Sequence, residues 1–174
     1  LDKASIRKSK MFLRRALSKE DKALFDMDIF KQAITYINKN DVVGVYVSRM
    51  DEVDTFLLIN YLLKHCIKVA VPRVVNQDLI FYKITDVNQL EEGHFHLLEP
   101  TTNLVVDNIS IMFVPMLAYD QYNHRIGYGK GFYDRYFASH LCFKIGLAYD
   151  FYFVDFIETN ETDVKLDVII VNKR

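Results

Sequence analysis

The sequence is poor in residues that crosslink, break or bend a chain. Only two cysteines are present, Cys66 and Cys142, far apart and in no metal or redox spacing. This excludes a disulfide scaffold and a zinc ribbon, and both read as reduced thiols. There is no excess of either charge: the net charge is −1, and the one basic concentration is Lys3 to Arg15. A dedicated nucleic-acid binder carries a clear basic surplus, so that class is set aside. No run approaches the ~18 apolar residues that a membrane span needs, and no signal peptide is visible. The expectation is a soluble, cytoplasmic protein with no membrane partner. Neither an internal repeat, a linker nor a low-complexity segment is found, so 174 residues read as one domain. About half of the residues, 51%, are apolar, enough for a real core.

Periodicity organises the rest. Residues 3–17 predict a helix in which Lys3, Arg7, Lys10 and Arg14, spaced by 4, 3 and 4, share one face. "SKED" from Ser18 resembles a capping box with Asp for Glu and opens a second helix to about Asn38. Strands are predicted at Val42–Val47, Lys68–Val74, Leu79–Ile84, Ile111–Pro115, Lys144–Tyr149 and Asp167–Asn172. Helices are predicted over Asp51–Cys66, with acidic residues in the first turn, and Gly131–Ser139. Alternating strands and helices, with several strands apolar on both faces, imply an α/β fold with a largely parallel central sheet. In such a sheet the segments following Val47, Val71 and Val114 converge on one crevice.

Three of the 6 glycines fall within Gly127-Tyr128-Gly129-Lys130-Gly131. Glycines at alternate positions permit positive φ and let backbone N–H groups approach a polyphosphate. The helix that follows adds its own free N–H groups, and Arg125 and Lys130 add charge. The stretch is neither a P-loop nor GxGxxG, and spacing alone leaves open a cradle or an ordinary turn.

The other candidates have plain readings too. Asp134 complements a helix dipole, but beside a polyphosphate it is a natural Mg²⁺ ligand. Asp163 and Asp167 read as a loop carboxylate and a strand-flanking charge. Lys3 with Arg7, and Glu52 with Asp54, read as solvated helix charges. His94 and His96 lack a third metal ligand. Phe132, Tyr133 and Tyr136 suit either a core or stacking on a flat heterocycle.

Taken in order along the chain, the segments resemble the 5-formyltetrahydrofolate cyclo-ligase family. They are "KASIR" (Lys3–Arg7), "SRMDEVDT" (Ser48–Thr55), "VAVPRV" (Val69–Val74), "LLEP" (Leu97–Pro100), "FVPMLAYDQYNHRIGYGKGFYDRYF" (Phe113–Phe137) and "NETDVKLDVII" (Asn160–Ile170). The resemblance spans nearly the whole chain and makes residues 1–174 a single cyclo-ligase domain. It implies an α/β fold like that of sugar-phosphate isomerases and CoA transferases. The implied reaction converts 5-formyltetrahydrofolate and ATP, with Mg²⁺, to 5,10-methenyltetrahydrofolate, ADP and phosphate through phosphorylation of the formyl oxygen.

The resemblance also implies roles by position. Lys3 and Arg7 would contact ATP phosphates, and Lys10 and Arg14 would stay solvated. Arg125, Gly127, Gly129, Lys130 and Gly131 would form the phosphate cradle, with Arg125, Lys130 and Tyr133 acting in catalysis. Asp134 and Asp163 would hold Mg²⁺, Asp134 also lying at the nucleotide. Glu52 would bind the folate, Val47 and Met50 would line its pocket, and Phe132 and Tyr133 would contact both substrates, as would Gly129, Lys130 and Gly131. Departures from the family pattern are Phe132 for a usual tyrosine, Asn123 for glycine, Tyr152 for glutamine, and Thr162 where histidine is common. The chain is expected to act as a monomer. A binding protein that keeps the pocket without catalysis is the alternative reading, and the paired metal carboxylates argue against it.

Overall fold

Val43, Val45, Ala70, Val71, Met112, Phe113 and Val114 are all almost wholly buried, as expected of strands covered on both faces. In a computed structural model that describes all residues 1–174, they form the middle of a six-stranded sheet. The elements in chain order are α1 (Lys3–Ala16), α2 (Lys19–Ile34), β1 (Val42–Val45), α3 (Phe56–Lys64), β2 (Lys68–Val75) and β3 (Asp78–Ile84). There follow β4 (Leu90–Glu92), β5 (Leu98–Pro100), β6 (Ile111–Val114), β7 (Ala118–Tyr119) and β8 (Arg125–Ile126). The last are α4 (Phe132–Ser139), β9 (Phe143–Ala148) and β10 (Val168–Val171). The pairs β4–β5 and β7–β8 form small separate hairpins.

The large sheet has the order β10-β9-β6-β1-β2-β3. Every pairing is parallel except β2–β3, an antiparallel hairpin in register from Val69↔Ile84 to Val75↔Asp78. The largely parallel α/β sheet is therefore as expected. Pro72 does not end β2. The β1 pairing stops at Ala70, so a proline two residues on breaks no hydrogen bond on that side. No helix is long and apolar enough to cross a membrane.

The chain order turns around at β1. From there the sheet extends through β2 and β3 on one side and through β6, β9 and β10 on the other. A crevice opens beyond the carboxyl ends of strands at such a reversal, because the connections leave in opposite directions.

Two element boundaries differ from expectation by more than two residues. The second helix stops at Ile34, short of Asn38. The third begins at Phe56, because its acidic run belongs to a bonded loop. The Thr55 hydroxyl donates to the Tyr46 carbonyl (2.6 Å), and Ser48 and Thr55 exchange two further bonds. Of the two carboxylates assigned to the first turn, Asp54 does accept the Leu57 N–H, but Glu52 turns inward and is buried.

Candidate functional site

The crevice is a cavity of about 990 Å³. Its floor comes from the segments after β1 and β6, represented by Tyr46, Val47 and Pro115, with Pro72 and Val74 of β2 beside them. The three segments singled out by the strand pattern thus meet. Of the residues to which the resemblance assigns a site role, Met50 is the one that does not line the cavity: it is 97% exposed. The turn Arg49–Glu52 closes on a backbone hydrogen bond, which leaves Met50 at its tip.

The glycine-rich loop hangs between the β7–β8 hairpin and α4. Asp120 builds the hairpin turn by accepting the N–H groups of Tyr122 and His124, and Asn123 adopts φ 64°, a left-handed geometry that asparagine tolerates. Gly129 and Gly131 have φ of 91° and 69°, so the loop does use the freedom only glycine supplies without strain. Gly131 is also the N-cap of α4. The first-turn residues Phe132, Tyr133 and Asp134 face the cavity with that helix's unbonded N–H groups. Gly127 is constrained differently, since a Cβ there would lie 2.6 Å from the Arg125 guanidinium.

Charge gathers at this end. The Arg125 side chain is only 7% exposed and lies 3.6 Å from Asp134 and 5.6 Å from the centre of the Tyr133 ring. Burial pulls its pKa down, countered by the charge of Asp134, and it stays cationic at any ordinary pH. Burial pushes the Tyr133 hydroxyl well up, so it remains a donor. Lys3 pairs with Asp163 at 3.0 Å, and Asp134 accepts the Val164 N–H. Lys130 lies 5.2 Å from the Phe95 ring centre, and Phe95 stands 6.1 Å from Phe132 across the opening.

The basic face of α1 is bonded along its full length. Arg7 Nε donates to the Gly127 carbonyl (2.7 Å). Lys10 donates to the carbonyls of Phe151 and Phe153. Arg14 is buried and donates to the Tyr128 hydroxyl and to Asp51. Arg14 is therefore not solvated, contrary to expectation, and Lys10 is only partly exposed. Their partners lie 37 to 143 residues away, and helical spacing carries no trace of that.

Glu52 also lines the cavity and is buried. Its Oε1 accepts the Arg49 N–H and its Oε2 accepts the Tyr128 hydroxyl, both at 2.8 Å. Glu99, also lining and buried, accepts the N–H groups of Val74 and His94 and meets the His94 ring. His94 and His96 lie on a 3₁₀ turn, each facing its own glutamate, and not on a strand. Tyr152 is buried against Tyr149 and Phe151 and does not reach the cavity, whereas Thr162 does. Sequence reasoning missed Arg14, Arg49, Phe95, Glu99 and Tyr128. Only Tyr128, set between two glycines, had a local signal.

Comparison with known proteins agrees with this architecture. The model of the 5-formyltetrahydrofolate cyclo-ligase family matches residues 1–172. A 5-formyltetrahydrofolate cyclo-ligase of Mycoplasma genitalium is 33% identical over 99% of both chains, and one of Escherichia coli is 26% identical over 90% of this chain and 93% of its own. The solved 5,10-methenyltetrahydrofolate synthetase of Mycoplasma pneumoniae superposes with a TM-score of 0.79 at 27% identity, covering 98% of each chain. That of Aquifex aeolicus gives 0.87 at 26% identity, covering 99% of this chain and 90% of its own. With its reversal-point cavity, positive-φ glycine loop and end-to-end match, the chain belongs to the 5-formyltetrahydrofolate cyclo-ligase family of enzymes.

Proposed function

We propose that this cyclo-ligase uses ATP and Mg²⁺ to close 5-formyltetrahydrofolate into 5,10-methenyltetrahydrofolate, releasing ADP and phosphate. One observation carries the reading. A single cavity is lined by a glycine loop with cationic side chains and also by a buried carboxylate and aromatic side chains. Such a cavity suits two unlike substrates, one a polyphosphate and one a flat heterocycle with N–H donors.

The chemistry explains why both must be present. The formyl oxygen is an amide oxygen, a poor nucleophile, and oxide is a poor leaving group. The oxygen attacks the γ-phosphorus, ADP departs, and an iminium phosphate remains. N10 then attacks the formyl carbon and loses its proton, and phosphate leaves with the C–O electron pair. Little covalent work falls to the protein, which aligns the reactants and stabilises charge on the phosphoryl group.

Roles follow from position. Lys3, Arg7, Lys130 and the N–H groups of 129–131 hold the phosphates. Arg125, fixed and dry, faces the charge that develops during transfer. Tyr133, held protonated, donates a hydrogen bond beside it. Glu52 accepts from the amino-pyrimidine edge of the pterin, Val47 gives an apolar wall, and Phe132 stacks. No group of three or more His, Cys, Asp or Glu side chains is arranged to hold a metal. Mg²⁺ does not require one, since it is commonly bound by one or two carboxylates with phosphates and water, and Asp134 and Asp163 at the phosphate end fit that donor set. When bound there, Mg²⁺ would neutralise charge on the phosphates.

The test is the ultraviolet absorbance of methenyltetrahydrofolate formed by purified protein from 5-formyltetrahydrofolate. Product with ATP and Mg²⁺ together, and none when either is omitted, is expected. Tight folate binding without turnover would instead favour the binding-protein reading.

A further inference from the structure

A chain of three side chains crosses from α1 to the folate end of the cavity, and its first member never touches the cavity. Arg14 has a side chain only 2% exposed and is absent from the cavity wall. Its Nη1 lies 2.7 Å from the Tyr128 hydroxyl and its Nη2 lies 3.0 Å from Asp51. The same hydroxyl lies 2.8 Å from Glu52 Oε2. We infer that Arg14 is a positioning residue for folate recognition, acting through the Tyr128 hydroxyl to fix the carboxylate of Glu52.

Proton counting gives the direction. A guanidinium can only donate, so the hydroxyl must accept from Arg14. Its single proton then points at Glu52, the other neighbour. Arg14 thereby converts a freely rotating hydroxyl into a fixed donor, and its charge strengthens that donation. With the Arg49 N–H on Oε1, each oxygen of the buried carboxylate is held by one bond. The remaining lone pairs of Glu52 are left to the cavity in one orientation. The Arg14 fork also holds the carboxylate of Asp51, the neighbour of Glu52 in the chain, so both side chains of the acidic turn are held from the same helix, one directly and one through Tyr128.

The arrangement has a second consequence. Tyr128 lies inside the glycine-rich loop, whose preceding carbonyl is held by Arg7 of the same helix. One face of α1 thus meets two adjacent loop residues, with Arg7 on the backbone of Gly127 and Arg14 on the side-chain hydroxyl of Tyr128.

This inference rests on the assignment of Glu52 to folate. It is tested by calorimetric affinity for 5-formyltetrahydrofolate without nucleotide, and separately for a non-hydrolysable ATP analogue with Mg²⁺. Arg14→Met and Tyr128→Phe are each expected to weaken folate binding about tenfold, the scale of one lost charge-assisted hydrogen bond, and to leave the ATP analogue within about twofold. On a Glu52→Gln background neither change should weaken folate further, since the group they orient is already altered. A merely structural role would lower the melting temperature and weaken both ligands together. That result, unchanged folate affinity, or a loss additive to Glu52→Gln overturns the inference. If Arg14→Met fails to fold, Tyr128→Phe, which removes one oxygen, carries the test alone. Unsubstituted protein that binds folate but makes no product refutes the proposed reaction and leaves this comparison intact. Protein that binds no folate refutes both.

Discussion

Lys3 Nζ lies 3.0 Å from Asp163 Oδ2, joining the first turn of α1 to a loop 160 residues further on. The same oxygen accepts the Asn160 N–H. Burial pushes the Asp163 carboxyl up, but the Asn160 N–H, Lys3 and Arg125 outweigh it and hold the group below its ordinary value. Asp163 is therefore an anion at any pH where the enzyme would work, set at the end of the cavity where phosphates are proposed to bind.

From this follows a prediction on Mg²⁺. Asp163→Asn and Asp134→Asn should each raise the Mg²⁺ concentration for half-maximal rate at least about tenfold, because even outer groups around a metal site are worth that much. Folate affinity without nucleotide should stay nearly unchanged, so turnover suffers more than binding. A rate-against-Mg²⁺ curve that superposes on that of the unsubstituted protein would remove the ligand assignment.

Arg125 offers a second test. Its guanidinium is buried beside Asp134, and its Nε has no partner within the protein. A dry cation of fixed geometry stabilises developing charge more than a solvated one does. Arg125→Lys keeps charge but not the planar fork. It should lower kcat by about a hundredfold or more, with a smaller rise in KM for ATP, on the scale of removing one preorganised donor. Saturating kinetics in both substrates decide it, and a change confined to KM would make Arg125 a binding residue only.

How far the sequence could be read depended on where each residue's partners lie. The β1, β2, β6 and β9 runs were legible because burial on both faces demands continuous apolar residues, a property of the strand itself, and the edge strand β10 was legible as an apolar run although only Ile170 of it is buried. The glycine loop was legible because positive φ leaves a mark on residue type. The start of α3 was misjudged because Asp51 and Glu52 look like first-turn charges, while their actual partners, Arg14 and Tyr128, are 37 and 76 residues away. The small hairpins were missed because two or three paired residues carry no period. Arg14 was misread for the same reason as α3: a basic residue at helical spacing looks alike whether water or a tyrosine meets it.

Asp120 predicts an acid limit to stability. It is buried, and its oxygens accept the N–H groups of Tyr122, His124 and Ile157 and meet the His124 ring at 3.0 Å. Burial raises its pKa, but these bonds, led by that of the His124 ring, outweigh it and lower the folded value. A depressed folded pKa stabilises the fold at pH above the unfolded value, about 4. That contribution is lost as pH falls through the folded value. Asp120→Asn places an amide among donors and should cost about 1.5–3 kcal/mol at neutral pH, the worth of hydrogen bonds to a charged group. It should also flatten the stability curve below about pH 4. Urea unfolding at several pH values measures both, and equal losses for the variant at pH 3 and pH 7 would contradict the account.

Gly129 and Gly127 are expected to separate the binding and catalytic duties proposed for the loop. Gly129 has φ 91°, and a Cβ there would lie 3.4 Å from the Arg7 guanidinium, so space is adequate and the cost is backbone strain. For an L-residue that strain is about 1–2 kcal/mol, enough to turn the peptide out of its pose and withdraw its N–H from an anion. Gly129→Ala should therefore act mainly on KM for ATP, raising it about tenfold. Gly127 is not in the left-handed region, but its Cβ would meet Arg125 Nη1 at 2.6 Å. Gly127→Ala should therefore displace the buried guanidinium and fall mainly on kcat. Steady-state constants for the two variants, measured side by side, test the division. Equal losses in both constants for both variants would mean that the loop acts as one rigid unit, with no separate duties for its glycines.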